Sequence, residues 1–234
     1  MKLTVFNGSP KGKKGNTQTL LDHFLSGFLS GGNHTCETFY LNEINGHEVN
    51  AINFSRAEHI LMAMPLYHDS MPAVVKAFIE MLPSPSSHDV QGDIFFIIQS
   101  GFPEANHSRY LERYFKKLAT RISRRYLGTI VKGGCNDISH RSDWMAKKIF
   151  KSLYGLGKFY GNGGSLDQKI LHQLAQPETL KGVTLLFLKT GIKLGFMRSQ
   201  FDRMLKKNRA YERRFDKPFL DSKEHKVSSK QEHS

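Results

Sequence analysis

Apolar residues follow two rhythms over the first 134 positions. Short unbroken runs alternate with stretches in which apolar residues recur every three or four places. Residues 2–6 form the first run and predict a strand. After a stretch rich in Gly and Lys, Leu20, Leu21, Phe24, Leu25, Phe28 and Leu29 share one helical face. Asn16 is a suitable N-cap for that helix, and Gly31-Gly32 ends it. Thr35–Leu41 predicts a second strand, although it alternates only partly. His59–Met64, bounded by Pro65, reads as a buried parallel strand. A loop to Met71 follows, and Pro72 stands where a helix accepts proline, at its first turn. Val74, Val75, Phe78, Ile79 and Leu82 give that helix its inner face, and Pro83–Ser87 is a breaker-rich linker. Asp93–Ile98 predicts the fourth strand and Ser100–Asn106 a loop. Tyr110, Leu111, Tyr114, Phe115, Leu118 and Ile122 mark the next helix. Tyr126–Val131 predicts the fifth strand, closed by Gly133-Gly134.

Strands alternating with helices imply right-handed crossovers and a parallel sheet. Five of them fit an α/β flavodoxin-like, doubly wound sheet of order 2-1-3-4-5. The expected domain covers residues 1–135. Beyond Asn136 the pattern turns helical, with Trp144, Ile149, Leu153 and Leu156 in one helix and Ile170, Leu171 and Leu174 in another. Residues 136–220 are therefore expected as a helical extension, packed on the domain or on a second subunit. Val183–Phe201 is apolar, but Lys189, Lys193 and Arg198 break it, so it does not predict an integral membrane segment. A basic amphipathic helix on a membrane surface is the other reading of that stretch. The tail, 221–234, is polar and is expected to be disordered.

Composition narrows the class. Of the 234 residues, 39% are apolar, which affords a sizeable core. Cys36 and Cys135 stand far apart, with no CxxC or CxxH spacing, so neither a disulfide framework nor a zinc or iron–sulfur site is expected. That cysteine usage suits a reducing cytoplasm. The first apolar run is too short for a signal peptide, and the sequons at Asn33, Asn53 and Asn106 then read as chance matches. The net charge of +13 attracts anions: nucleotide phosphates, acidic membranes or nucleic acid.

The most informative segment is Asn7-Gly-Ser-Pro-Lys-Gly-Lys-Lys-Gly-Asn-Thr17, between a strand and a helix. First-turn N–H groups lack partners there, and the helix dipole favours negative charge. Gly12 and Gly15 permit a backbone nest for phosphate. Ser9, Asn16 and Thr17 can add side-chain donors, and Lys11, Lys13 and Lys14 positive charge. From Gly8, a Walker A loop would need Gly where Lys13 stands, and a dinucleotide GxGxxG would need Gly where Pro10 stands. A monophosphate remains, beside the plainer reading of a Gly-rich βα turn.

This GSPKG…GNT loop resembles the phosphate loop of the NAD(P)H-dependent FMN reductase and NAD(P)H quinone reductase branch of the flavodoxin-like superfamily. Pro65-Leu-Tyr-His-Asp-Ser-Met-Pro72 and Ser100-Gly-Phe-Pro-Glu104 match where that branch has its flavin loops. Each motif follows a predicted strand, and the resemblance covers about 135 residues. It implies bound FMN, NADPH or NADH as co-substrate, and a homodimer in which a second subunit completes the pocket. Pro65, Leu66, Tyr67 and Met71 would wall the ring, with backbone donors near Tyr67 and His68. Ser100, Gly101 and Phe102 would close its other side, and Glu104 would brace the loop. His107 is a candidate proton donor to a quinone-like acceptor. Tyr67 as a sheet-capping surface aromatic, and His68 and His107 as ordinary loop histidines, are the alternatives.

The expected function is transfer of hydride from NAD(P)H through FMN to a small acceptor: a quinone, a flavin, an azo or a nitro compound. A flavodoxin-type electron carrier is the alternative, but the resemblance implies acidic carrier surfaces and this chain is basic. An iron–sulfur flavoprotein would need a cysteine cluster that the chain lacks. Arg198–Arg214, interleaved with Phe201 and Tyr211, could form an RNA stripe, but a solvated helix packed on a partner subunit suits it better.

Overall fold

The computed structural model describes residues 1–83, 92–182, 185–186, 190–191 and 196–216. Strands β1 (Lys2–Asn7), β2 (Thr35–Tyr40), β3 (His59–Pro65), β4 (Asp93–Gln99) and β5 (Arg125–Lys132) form one sheet in the order β2-β1-β3-β4-β5. Every neighbouring pair is parallel, as the alternation predicts. Val5, Leu61 and Phe95 lie side by side across three strands, and Phe6, Met62 and Phe96 form the next row. The first row belongs to one core cluster and the second to another. Successive side chains point to opposite faces, so a sheet covered on both faces needs apolar residues at every position. This is why β3 and β4 read as unbroken runs, while the edge strand β2 does not.

Helices α1 (Asn16–Ser30), α5 (Trp144–Gly163) and α6 (Gln168–Leu174) cover the first face through Leu20, Phe24, Leu153, Tyr160 and Leu174. Helices α2 (His47–Arg56), α3 (Ala73–Met81) and α4 (Arg109–Arg121) cover the second through Phe54, Phe78 and Phe115. Helix α2 has no counterpart in the periodicity. Its buried face is His47, Asn50, Ala51 and Phe54, while Val49 and Ile52 face solvent. Polar contacts help to seat it. His47 Nε2 lies 2.7 Å from the Leu41 carbonyl oxygen. The buried Arg124 guanidinium donates to the Ala57 and Phe54 carbonyls at 2.6 and 2.8 Å, at the helix end where a cation is favoured.

Helices α5 and α6 belong to the same compact unit as the sheet. Without them, α1 alone would leave much of one sheet face bare. The first compact unit accordingly runs Met1–Leu180 and takes in both helices. A second unit, Lys181–Ser234, contains helix α7 (Phe196–Lys207). Most of the Pro83–Ser87 linker, much of Val183–Phe201 and the tail 221–234 lie outside the described residues.

Helices α1 and α5 meet at bare backbone. A Cβ on Gly27 would fall 1.9 Å from the Tyr154 carbonyl oxygen, and one on Gly157 would fall 1.9 Å from that of Phe24. Alanine is the better helix former by about 1 kcal/mol, so propensity alone favours Gly157→Ala. We expect the opposite sign, a loss of about 1–3 kcal/mol from overpacking. Urea unfolding checks it, and a raised midpoint for Gly157→Ala would refute the account.

Candidate functional site

Three loops leave the C-terminal ends of β1, β3 and β4, where open α/β sheets bind ligands. The first, Gly8–Gly15, is a wound backbone. The Ser9 N–H donates to Asn7 Oδ1 at 2.9 Å, the Lys11 N–H to Ser9 Oγ at 3.3 Å, and the Gly12 N–H to the Ser9 carbonyl at 2.9 Å. Gly12 has φ +53°, in the left-handed region that glycine tolerates best. Gly15 is the N-cap of α1 and brings no side chain to the first-turn N–H groups. A Cβ there would lie 2.7 Å from Ser9 Oγ.

Asn16, expected as the N-cap, is instead the first helical residue. Its Nδ2 donates to the Cys135 carbonyl at 2.7 Å, and its Oδ1 accepts from Ser139 Oγ at 3.3 Å. Thr17 is buried, and its hydroxyl accepts from Gln99 Nε2 at 3.4 Å. Both side chains therefore brace the loop, and the donors left facing outward are backbone ones. Lys11 and Lys14 are exposed, while the Lys13 ammonium sits 5.1 Å from the Tyr40 ring centroid.

In the second loop, Pro65 ends β3 and the Leu66 N–H donates to the Gln99 carbonyl at 2.7 Å. Tyr67 to Ser70 is a tight turn with His68 at φ 48° and Asp69 at φ 58°. The Tyr67 N–H donates to the Ser70 carbonyl at 2.9 Å, so it is engaged within the turn rather than free for a ligand. Tyr67 keeps 45% of its surface exposed, whereas Met71 packs partly buried against the second core cluster.

In the third loop, Ser100 Oγ donates to the Phe102 carbonyl at 2.9 Å. A Cβ on Gly101 would meet Asn136 Oδ1 at 2.4 Å, and the Gly134 N–H donates to the Phe102 carbonyl at 2.8 Å. The turn Gly133–Asn136 thus braces this loop. The sequence marks it only as a strand end. Phe102 is 65% exposed.

His107 joins the second and third loops. Its Nδ1 lies 3.1 Å from Asp69 Oδ1, its Nε2 lies 3.6 Å from Glu104 Oε2, and its ring is 5.3 Å from that of Phe102. Asp69 carries no motif signal, because its partner lies 38 positions away. Glu104 does brace the loop, as expected, by accepting the Leu180 N–H at 2.9 Å. Behind it, segment 177–180 forms a strap: the Ala105 and Asn106 N–H groups donate to the Pro177 and Glu178 carbonyls. Arg109 clamps this strap through Nη2 to Glu178 at 2.6 Å, and also holds Glu112. Among the described residues, no cluster of His, Cys, Asp and Glu could hold a metal ion.

A family model described as NADPH-dependent FMN reductase matches residues 1–130. Among solved structures, an azoreductase from Bacillus anthracis str. Sterne is similar, with 15% identity and a TM-score of 0.51 over 69% of this chain and 99% of that one. An FMN-dependent NADH-azoreductase from Bacillus anthracis str. Ames Ancestor, solved in complex with FMN, aligns with 15% identity and a TM-score of 0.51 over 69% of this chain and 99% of that one. The apo form of an NADH:FMN oxidoreductase aligns with 14% identity and a TM-score of 0.54 over 75% of this chain and 96% of that one. These likenesses show the fold. No curated protein matches the chain.

The strap should respond to acid. The Arg109 guanidinium holds the Glu178 carboxyl below its ordinary range. A depressed pKa contributes stability that is fully present above the unfolded value of about 4.3 and is lost as pH falls through the folded one. Hydrogen exchange at the Ala105 and Asn106 amides should therefore speed up below that window, beyond the intrinsic change. In Glu178→Gln exchange should already be fast at neutral pH. Equal protection of the variant and the parent would refute the clamp.

Proposed function

The chain belongs to the NADPH-dependent FMN reductase family, and on that premise we propose that its three loops at the ends of β1, β3 and β4 hold FMN. The protein is a flavin-dependent NAD(P)H oxidoreductase with FMN as its cofactor. Held by these loops, FMN would supply the redox chemistry, uptake of hydride from NAD(P)H and delivery of electrons to a small acceptor. Everything else falls to the residues of this chain.

The observation that carries the site assignment is the start of α1. Its first-turn N–H groups have no side-chain cap, and the space where a Gly15 Cβ would stand is open only because that residue is glycine. An uncapped helix N-terminus suits a phosphate, whose oxygens take the N–H bonds that a Ser or Asp cap takes elsewhere. The residues therefore fit the phosphate of FMN. Backbone N–H groups of Asn16 and Thr17 bind it, Ser9 and Gly15 shape the nest, and exposed Lys11 supplies charge. Lys13 and Lys14 add to the long-range field.

The ring belongs between the second and third loops. Pro65, Leu66 and Tyr67 form one wall, with Met71 behind them in the core, and Phe102 forms the other. Gly101 and Ser100 keep that side close to the backbone. The turn backbone at His68 is oriented by its hydrogen-bonded neighbours Tyr67 and Ser70. His107, oriented by Asp69, is the candidate proton donor to a quinone-like acceptor. Quinones, flavins, azo and nitro compounds are the acceptor class. Exposed Tyr67 and Phe102 leave the pocket open to water, which supports a homodimer in which the partner covers them. The free Cys36 and Cys135 suit a reducing cytoplasm.

The purified protein should carry FMN that NADPH or NADH bleaches without oxygen. Gly15→Val should lower FMN affinity at least about tenfold, as losing charge-assisted bonds does, and Lys11→Ala should weaken it less. His107→Ala should slow quinone turnover and leave the rate of flavin reduction unchanged. Full FMN occupancy in Gly15→Val, or a monomer by light scattering, would refute the corresponding assignment.

A further inference from the structure

A second concavity lies at the C-terminal end of β5. A cleft of about 400 Å³ opens between the first turns of α5 and the end of α6. Trp144, Met145, Lys148, Ile149 and Ser152 line it from one side, and Leu174 and Lys132 from the other. The α5 residues recur at intervals of three and four, so they share one face of that helix. None of the residues of the three loops described above lines this cleft.

Its chemistry is set by Lys132, the last residue of β5. The half-buried ammonium donates to the Leu174 carbonyl at 3.1 Å and the Gln176 carbonyl at 3.3 Å. An ammonium has three N–H bonds, so one donor remains. Among the described ion pairs, no carboxylate meets Lys132. Asp143, the N-cap of α5, is taken by Arg141 at 2.7 Å. Burial pushes the neighbouring Cys135 thiol up to about 12, so it supplies no counter-charge. Burial also pulls the Lys132 ammonium below its ordinary pKa, as expected for a cation that lacks a close anion. Lys148 adds a second cation at the rim.

We propose that this cleft binds a small aromatic carboxylate, its carboxylate on Lys132 Nζ and its ring against Trp144 and Met145. An anion completes the hydrogen bonding of Lys132 and neutralises its charge. Indole and thioether favour an aromatic body over an aliphatic chain. The volume falls in the range of small-molecule sites and suits one or two rings. The proposal does not rest on the flavin reading.

Trp144 is the single tryptophan of the chain, so its fluorescence reports occupancy directly. Titrating the full-length protein with 2-naphthoate should give saturable quenching, and methyl 2-naphthoate should bind at least about tenfold more weakly, since it lacks the charge. Lys132→Met should lose the preference for the acid, and Lys132→Arg should keep it. Ser152→Phe fills the cleft from the helix surface without touching Lys132 and should block both probes. Unchanged FMN content and thermal midpoint would show that each variant is folded. Equal affinity for acid and ester, unaltered 2-naphthoate binding in folded Lys132→Met or Ser152→Phe, or no saturable quenching would overturn the proposal.

Discussion

The crossing of α1 and α5 holds the rest of this molecule in place. Gly27 and Gly157 let each helix press against a carbonyl of the other, at the positions of Tyr154 and Phe24. Together the two helices seal one sheet face around Phe24, Phe95 and Tyr160. With α1 fixed over the sheet, its N-terminus is aimed at the ends of β1 and β4. The hydrogen bond from Gln99 to Thr17 and that from Asn16 to the Cys135 carbonyl then set its approach. A small change at the crossing would reach the Gly8–Gly15 loop, because packed helices move as rigid bodies.

The site is cross-linked by polar contacts rather than shaped by one motif. Asn16 ties the first loop to the turn after β5, His107 ties the second to the third, and Glu104 and Arg109 tie the third to the strap at 177–180. These partners are far apart in sequence, so each contact closes a long loop, and the surrounding core must offset that entropy. The result is a mouth in which Tyr67 and Phe102 stay exposed while the backbone behind them is bonded.

Charge is unevenly spread. From Lys181 onward the chain has 14 Lys and Arg against 6 Asp and Glu. In that unit the Arg214 guanidinium lies 3.8 Å from the Tyr211 ring centroid and 4.7 Å from that of Phe215, and the Lys206 ammonium lies 4.8 Å from that of Tyr211. Tyr211 is thus covered by the protein's own cations, which argues against its serving as a base-stacking platform.

Much of the fold is legible in the residue pattern. Two covered faces make β3 and β4 continuous apolar runs, and one covered stripe marks α1, α3 and α4. The three loop motifs are legible too, since strand-to-helix junctions rich in glycine have few alternative uses. Helix α2 is not legible, because polar contacts from Leu41 and Arg124 help to seat it and its face is not apolar. The place of α5 was hidden for a different reason. Its apolar face is plain, but nothing local says which surface it covers. Asp69, Asn136 and the freed backbone of Gly15 likewise take their meaning only from neighbours that the fold delivers. By itself the sequence determined the five strands, most of the helices and their alternation, because those depend on local periodicity and turn chemistry. Tertiary structure alone decided which surface α5 covers, the clasp at His107 and the true cap of α1, because each is set by contacts between residues distant in the chain.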